Sequence, residues 1–344
     1  MTARNTRLVG LAAVGALAAG LLAAPPVLAA GPSSADGPQF VKMSSSHLAK
    51  GGASTASGVK TARLTQARVV AKVSQSSGEQ VLQSIKGRAN IGADGIGVAA
   101  GPKHVLQVGA NGASVFLKST GKRVKNYTSL NSLFGVNPSI ALSDPTVAYD
   151  PVGKRFVVVA ITNDGGDIGI AVRVSKKSVP TQWFGEVQYA DSSTSDANPD
   201  VDESLPKVGV SADKLVITAV ADDPTDTTVA NRILFIPKQF LYQNVDPGAW
   251  VASVNDTYDG QAPAVNATSQ ANAFIAIPRV SDVTVTTYTG PATATSPSFS
   301  KSVMYPAQPL AAPPVVDQGL GDDLDLGPLA FGNASWRSGK LFTA

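Results

Sequence analysis

The chain contains no cysteine, and His47 and His104 are its only imidazoles. Disulfide staples, a thiolate nucleophile and a lipidated cysteine are therefore excluded, and zinc or copper sites of the usual Cys/His kinds nearly so. Glutamate is almost as scarce, at Glu79, Glu186 and Glu203, so any chemistry that needs a glutamic acid has few residues to draw on. Charged residues make up 15% and aromatics 6% of the chain. No Lys/Arg stripe interleaved with aromatics stands out, which removes the footprint of a nucleic-acid binder.

The apparent basicity, +3 overall, belongs mostly to the first residues. Arg4 and Arg7 precede an uncharged, Ala/Leu-rich run over 8–28, and Val27-Leu28-Ala29 offers a small-residue cleavage site. Residues 1–29 thus read as a secretory signal peptide, whose removal leaves a net charge near +1. A single membrane anchor is the rival reading, because the apolar run is about long enough to span a bilayer. The Pro25-Pro26 break and the many Ala and Gly favour the signal, and with it a secreted chain with no membrane attachment after cleavage.

Residues 30–66 are rich in Ser, Ala and Gly and can bury little surface to offset their ordering entropy, so a flexible lead-in is expected there. From 67 to 344 the pattern is that of one all-β domain, large enough at about 280 residues to build its own core. Its clearest stretch is 144–175. Apolar runs at 146–149, 155–162 and 168–174 are separated by Asp-Pro-Val-Gly and Asn-Asp-Gly-Gly turn chemistry, and 183–189 supplies a fourth strand. The same four-strand order is read at 96–99, 104–108, 113–118 and 123–130. It recurs at 206–210, 214–221, 232–237 and 250–254, and again at 264–267, 273–277, 283–288 and 299–305. A fifth copy begins at 329–332 and 340–343.

First-strand centres at Val98, Val147, Val208, Val265 and Ala330 recur at a period of about 50–65 residues, a spacing that signals a propeller or another repeat array. Four-stranded units with no helical pattern between them fit radial blades, which protect most of their edges. A β-sandwich is the structural rival. The expected fold is therefore a β-propeller of about four complete blades plus the start of a fifth.

The segments GPKHVLQVGANGASVFLKSTGKRV, SLNSLF, DPTVAYDPVGKRFVVVAI, LPKVGVSADKLVITA and NASWRSGKLFTA resemble those of secreted bacterial β-propeller proteins of unassigned activity. The resemblance covers 92–344 and implies fold rather than chemistry. Members of that group continue through further blades, which suggests a chain truncated at its C-terminus. Alternatively, a five-bladed ring closes by borrowing 67–73 and 79–86 as outer strands of the incomplete blade.

In such a ring Asp94, Asp144, Glu203, Asp259 and Asp325 each stand a few residues before a first strand, so they are expected to encircle the mouth of the central channel. Clustered carboxylates attract hard cations such as Ca²⁺ and accept hydrogen bonds from sugar hydroxyls. Asp is also an ordinary turn residue that bonds nearby backbone N–H groups. Asp196, Asn198, Asp200 and Asp202 place oxygens at alternate positions like the first half of a Ca²⁺ loop, but Val201 and Lys207 occupy the places of the obligatory Gly and Glu. Asp144-Pro-Thr-Val-Ala-Tyr149 is similar to the segment carrying the catalytic base in some five-bladed glycoside hydrolases. That resemblance implies Asp144 as base and Glu203 as acid, with Asp94 or Asp259 as a further carboxylate.

The reading favoured by these residues is a secreted, non-catalytic binding or scaffold protein that presents an acidic loop face to a glycan, a surface protein or a cation. No cofactor is expected other than Ca²⁺, and no nucleic acid. A glycoside hydrolase is the first alternative, and a truncated propeller without independent function the second.

Overall fold

A computed structural model describes residues 22–23, 40–43, 46–48, 50, 85, 87–88, 91, 96–164, 167–190, 202–222, 230–245, 249–255, 261–269, 271–278, 283–289, 300–304, 334–337 and 340–343. Two short strands come first, Leu22–Ala23 (β1) and Phe40–Met43 (β2). The first four-stranded sheet follows, from Gly97–Ala100 (β3), His104–Gly109 (β4), Gly112–Leu117 (β5) and Arg123–Tyr127 (β6). A helix at Leu130–Phe134 (α1) leads into the second, made of Ala141–Asp150 (β7), Arg155–Asp164 (β8), Asp167–Val174 (β9) and Val187–Ala190 (β10).

Asp202–Val210 (β11), Lys214–Asp222 (β12) and Ala230–Pro237 (β13) form the third unit, and a short helix at Lys238–Leu241 (α2) precedes its last strand, Ala249–Asn255 (β14). The fourth unit holds Ala262–Asn266 (β15), Ala273–Pro278 (β16), Val283–Thr289 (β17) and Ser300–Met304 (β18). Ala334–Arg337 (β19) and Lys340–Thr343 (β20) open a fifth. Within each unit successive strands pair antiparallel, as the turn chemistry predicts.

The first strands of successive units lie side by side. β7 packs between β3 and β11, β11 bridges to β15 in parallel at Val210↔Val265, and β15 pairs in parallel with β19 at Val265↔Ser335. Cα atoms of β7 and β15, two units apart, still come within 8 Å of one another. A flat row of strands spaced about 4.8 Å apart would hold them farther away, so the row curves around an axis. The protein is thus a β-propeller with first strands innermost.

Burial follows from this geometry and explains the near-continuous apolar second strands. Side chains alternate across a sheet, and the second, third and fourth blades each have a neighbour on both faces. Phe156, Val158 and Ala160 of β8 enter one core with Leu106, Val108 and Val115 of the first blade. Val157, Val159 and Ile161 of the same strand enter another with Leu215, Ile217 and Ala219 of the third. Val216, Phe235, Ile275 and Tyr288 fill the next gap, and Ala264, Phe274, Ala334 and Leu341 the one after it.

Several expected boundaries move. The strand read over 123–130 stops at Tyr127, and Ser129 caps α1 by accepting from the Ser132 N–H, while Ser132 Oγ lies 3.2 Å from the Ser129 N–H. Gly135 ends the helix at φ 75, a left-handed position that only glycine adopts freely. Leu133 and Phe134 of this helix are fully buried between the first two blades. The fifth unit is described from Ala334–Arg337, which pairs antiparallel with Lys340–Thr343, and the strand read over 329–332 lies outside the described residues. Its Trp336 ring stacks on Phe274, with centroids 3.9 Å apart.

Within the lead-in, β2 pairs antiparallel with β14 and Ser46 bridges to Gln188 of β10. Leu22 and Ala23, in the expected signal, pair with Leu341 and Lys340 of β20. Residues 67–73, and 79–86 apart from Ile85, which close the ring in the alternative reading, lie outside the described residues.

Candidate functional site

Two of the inner strands, β7 and β11, carry an irregularity near their starts. The β7–β8 register shifts between Ser143 and Thr146, and the β11–β12 register shifts between Ser204 and Lys207. Both bulges contain a proline, Pro145 or Pro206, which has no N–H to give a ladder and is at home where a ladder breaks. At the first bulge Asp144 adopts φ 45, the left-handed region, which costs a residue with a Cβ about 1–2 kcal/mol. The Ser143 hydroxyl donates to Asp144 Oδ2 at 3.1 Å, and the residue is half-buried at the end of the ring where inner strands begin.

Asp144 and Glu203 were expected just ahead of the inner strands. Both lie inside them instead, in Ala141–Asp150 and Asp202–Val210, because each bulge lets pairing resume on its far side. Nor do they occupy equivalent places. Ser143 and Ser204 match, so the residue standing where Asp144 stands is Leu205, and Glu203 corresponds to Leu142. The structure nonetheless brings the two acidic residues to the same end of neighbouring inner strands that pack against each other.

Other acidic residues gather at this end. Asp202, expected as a metal ligand, opens β11 directly opposite Asp222, and Asp164 faces Asp167 across the β8–β9 hairpin. Asp94, Asp259, Asp325, Asp196, Asn198 and Asp200 lie outside the described residues. Among the described residues no three His, Cys, Asp or Glu side chains group as metal ligands.

Gln261, immediately before β15, adds an unmet demand. Its side chain is 2% exposed, and neither amide atom has a hydrogen-bond partner. The Thr218 hydroxyl donates to its backbone oxygen at 2.9 Å, and the Val210↔Val265 bridge puts it level with Pro206 of the bulge. Nothing in the sequence singles this glutamine out.

At the other end of β7 stands an aspartate whose two oxygens are both partnered. Asp150 closes β7 fully buried, and its Oδ1 accepts the Val152 and Gly153 N–H groups at 2.9 and 2.8 Å. Its Oδ2 takes the Lys238 ammonium at 2.9 Å and the Tyr242 hydroxyl at 2.7 Å. Lys238 also donates to Ser211 O at 2.6 Å, so the second blade is fastened to the third. Burial, then the Asp150 charge, pushes the Tyr242 hydroxyl well above its ordinary pKa. Arg155 stacks over the Phe184 and Tyr242 rings.

Both histidines belong to this second end. His104 starts β4, with its pKa lowered by burial and then by Lys103, and His47 lies against Glu186 just before β10. Neither reaches the end carrying Asp144, so no Ser/His/Asp triad forms there.

No family model matches the chain, and no curated protein matches it. Solved structures similar to it include an exo-β-1,3-galactanase from Phanerochaete chrysosporium with galactose. That match has 12% identity and a TM-score of 0.34, over 62% of this chain and 50% of the other. A GH43 β-1,3-galactosidase matches at 11% identity and a TM-score of 0.35, over 64% of this chain and 46% of the other. A second, with galactodeoxynojirimycin, matches at 10% identity and 0.34, over 56% and 72%. The chain thus spans about half the length of the galactanase. Among the described residues no helix is long and apolar enough to cross a membrane.

Proposed function

We propose that this propeller is a secreted, non-catalytic binding protein that takes a glycan at the acidic end of its ring. What supports the reading is the pair of like-charged cross-strand positions, Asp202↔Asp222 and Asp164↔Asp167, at the end where Asp144 is held in a left-handed backbone. A strained backbone kept at one end of an otherwise well-packed fold, where neighbouring strands also carry aspartates, fits a surface whose favourable contacts come from a ligand. Carboxylates accept hydrogen bonds from sugar hydroxyls, and a Ca²⁺ ion is the cofactor such a surface would take.

Calorimetric titration of the protein with CaCl2, and with a panel of neutral oligosaccharides with and without Ca²⁺, tests this. Binding heat is expected from an oligosaccharide, weakened by Asp144→Ala combined with Glu203→Ala. Heat from Ca²⁺ alone reduces the role to cation binding. No heat from either ligand, or an unchanged double variant, overturns the reading.

A glycoside hydrolase is the second reading. It is favoured by one observation: Asp144 and Glu203 stand at the same end of adjacent inner strands, and glycoside cleavage needs two carboxyl groups across one bond. Release of aglycone from aryl-glycosides, lost in Asp144→Asn, would establish it. An inactive protein that still binds the sugar would exclude it.

A further inference from the structure

At the Asp150 end of the ring the first two blades expose charge of one sign. The β3–β4 turn carries Lys103, the β5–β6 turn Lys118 and Lys122, the β7–β8 turn Lys154, and the β9–β10 loop Lys176 and Lys177, all of them exposed. Arg123, at the start of β6, is a seventh exposed cation. The carboxylates that these blades place at this end, Asp150 and Glu186, are 0% and 4% exposed. The ion pairs of the described residues involve none of the seven cations.

The four connections are packed into one surface. The Lys118 N–H donates to Lys103 O at 2.9 Å, which sets the two turns of the first blade side by side. The His104 ring meets the Ser178 backbone, and the Tyr127 hydroxyl donates to Pro180 O at 3.4 Å, so the β9–β10 loop of the second blade lies against the first. Gly101 comes so close to the second blade that an added Cβ would stand 2.7 Å from the Phe156 ring. Arg155 Nη1 donates to Ser175 O at 3.0 Å and ties the β7–β8 hairpin to the loop that bears Lys176 and Lys177.

Lys154 adds an independent observation. It sits at φ 54, a left-handed backbone that glycine or asparagine adopts at less cost. A lysine kept in that conformation, at the tip of a hairpin in this surface, points to a demand on its side chain.

We propose that this face binds a linear acidic polysaccharide, whose repeated carboxylate or sulfate groups meet the ammonium groups of the first two blades. Cations spread over four connections match charges repeated along a chain better than one small anion. Six of the seven are lysines, point charges that do not demand the planar geometry of a bidentate contact. Between them Ser119, Thr120 and Gln182 are exposed and offer hydrogen bonds to sugar hydroxyls. Nucleic acid fits less well, because Phe184, the aromatic ring nearest the lysines, is faced by Arg155 and Lys176 at 5.3 and 5.8 Å and is not free for a base to stack on. Val152 is the one large apolar side chain exposed on these connections, too little for the apolar core of a protein interface. The site lies at the opposite end of β7 from Asp144 and does not depend on what binds there.

Fluorescence anisotropy of labelled polygalacturonate and labelled dextran sulfate, titrated with the full chain at about 0.15 M NaCl, tests this, with neutral dextran as the blank. Binding to a DNA duplex and to phosphatidylglycerol vesicles is measured alongside. Lys103→Gln combined with Lys176→Gln should weaken the bound polyanion about tenfold or more. Lys50→Gln combined with Arg337→Gln removes the same charge from exposed positions on the lead-in and the fifth unit, and should weaken it by less than about twofold. Lys154→Asn should weaken binding while leaving the thermal unfolding midpoint unchanged or raised, because asparagine tolerates the left-handed backbone. Binding of one polyanion but not the other supports the proposal and assigns the anionic group. Binding of neither, equal weakening in the two double variants, or tighter binding to DNA or to vesicles overturns it.

Discussion

The two ends of β7 carry one aspartate each, and the protein treats them oppositely. Asp150 is buried, with every described partner supplied by its own chain: two backbone N–H groups, an ammonium and a phenol. Asp144, about 20 Å away along the same strand, has a left-handed backbone and one neighbouring hydroxyl. A charge whose partners are all internal serves the fold. On the proposed function, a charge held in that backbone takes its partner from outside.

The sharpest way to break this contrast is to neutralise each aspartate without changing its shape. Asp150→Asn leaves Lys238 buried without its counter-charge, so it should cost about 3–5 kcal/mol of stability. Urea unfolding followed by tryptophan fluorescence measures this, and a loss under about 1 kcal/mol would mean that the cluster is not the fastening its geometry describes.

Tyr242→Phe acts on the same carboxylate and should cost about 1.5–3 kcal/mol, the range for a hydrogen bond to a charged acceptor. It also has a pH signature. The Tyr242 pKa is raised in the folded protein, so its contribution is complete below about pH 10 and falls as pH rises through the unfolded value toward the folded one. Stability measured above pH 10 should therefore decline less steeply in the variant, by about 1.4 kcal/mol per pH unit for one proton. Burial also raises Tyr127, Tyr149 and Tyr288, so the slope is reduced rather than abolished.

Next in size is a change between the two ends. At Gly209 on β11 an added Cβ would lie 2.6 Å from the Pro263 backbone carbon of β15, where backbone cannot yield cheaply. Gly209→Ala should cost about 1–3 kcal/mol as overpacking. It should also alter ligand affinity at the mouth, because it wedges two inner strands apart. Destabilisation with unchanged affinity would show that the mouth does not depend on this spacing.

How far the sequence could be read depended on the distance over which its signals act. Strand order was legible because turn chemistry and apolar runs are local, and the second strands appear as unbroken apolar runs because alternate residues enter two different cores. Helix α1 escaped notice because it is one turn long, with Ser132 where a capping box usually places Glu or Gln. The attachment of the lead-in escaped because 30–66 has the composition of a loose segment, and the pairing of Phe40–Met43 with β14 and of Ser46 with β10 spans more than a hundred residues. Asp150 read as a turn aspartate, since Lys238 and Tyr242 are far along the chain. Asp144 was legible as a candidate, but its supposed counterpart was not. Position ahead of a strand is visible in sequence, whereas a bulge that brings Leu205 to the matching place is not.

The smallest expected effect is the most informative. Asp144→Asn removes the mouth's charge but keeps a side chain that tolerates a left-handed backbone, so stability should change by no more than about 0.5 kcal/mol. Oligosaccharide or Ca²⁺ binding should nevertheless weaken. The same chemical change at the two ends of one strand would then have opposite consequences, for stability at Asp150 and for binding at Asp144. Should Asp144→Asn instead destabilise the protein as much as Asp150→Asn, the Asp144 carboxylate would be a structural group held by partners of its own chain. The acidic end would then have lost its best-placed ligand residue.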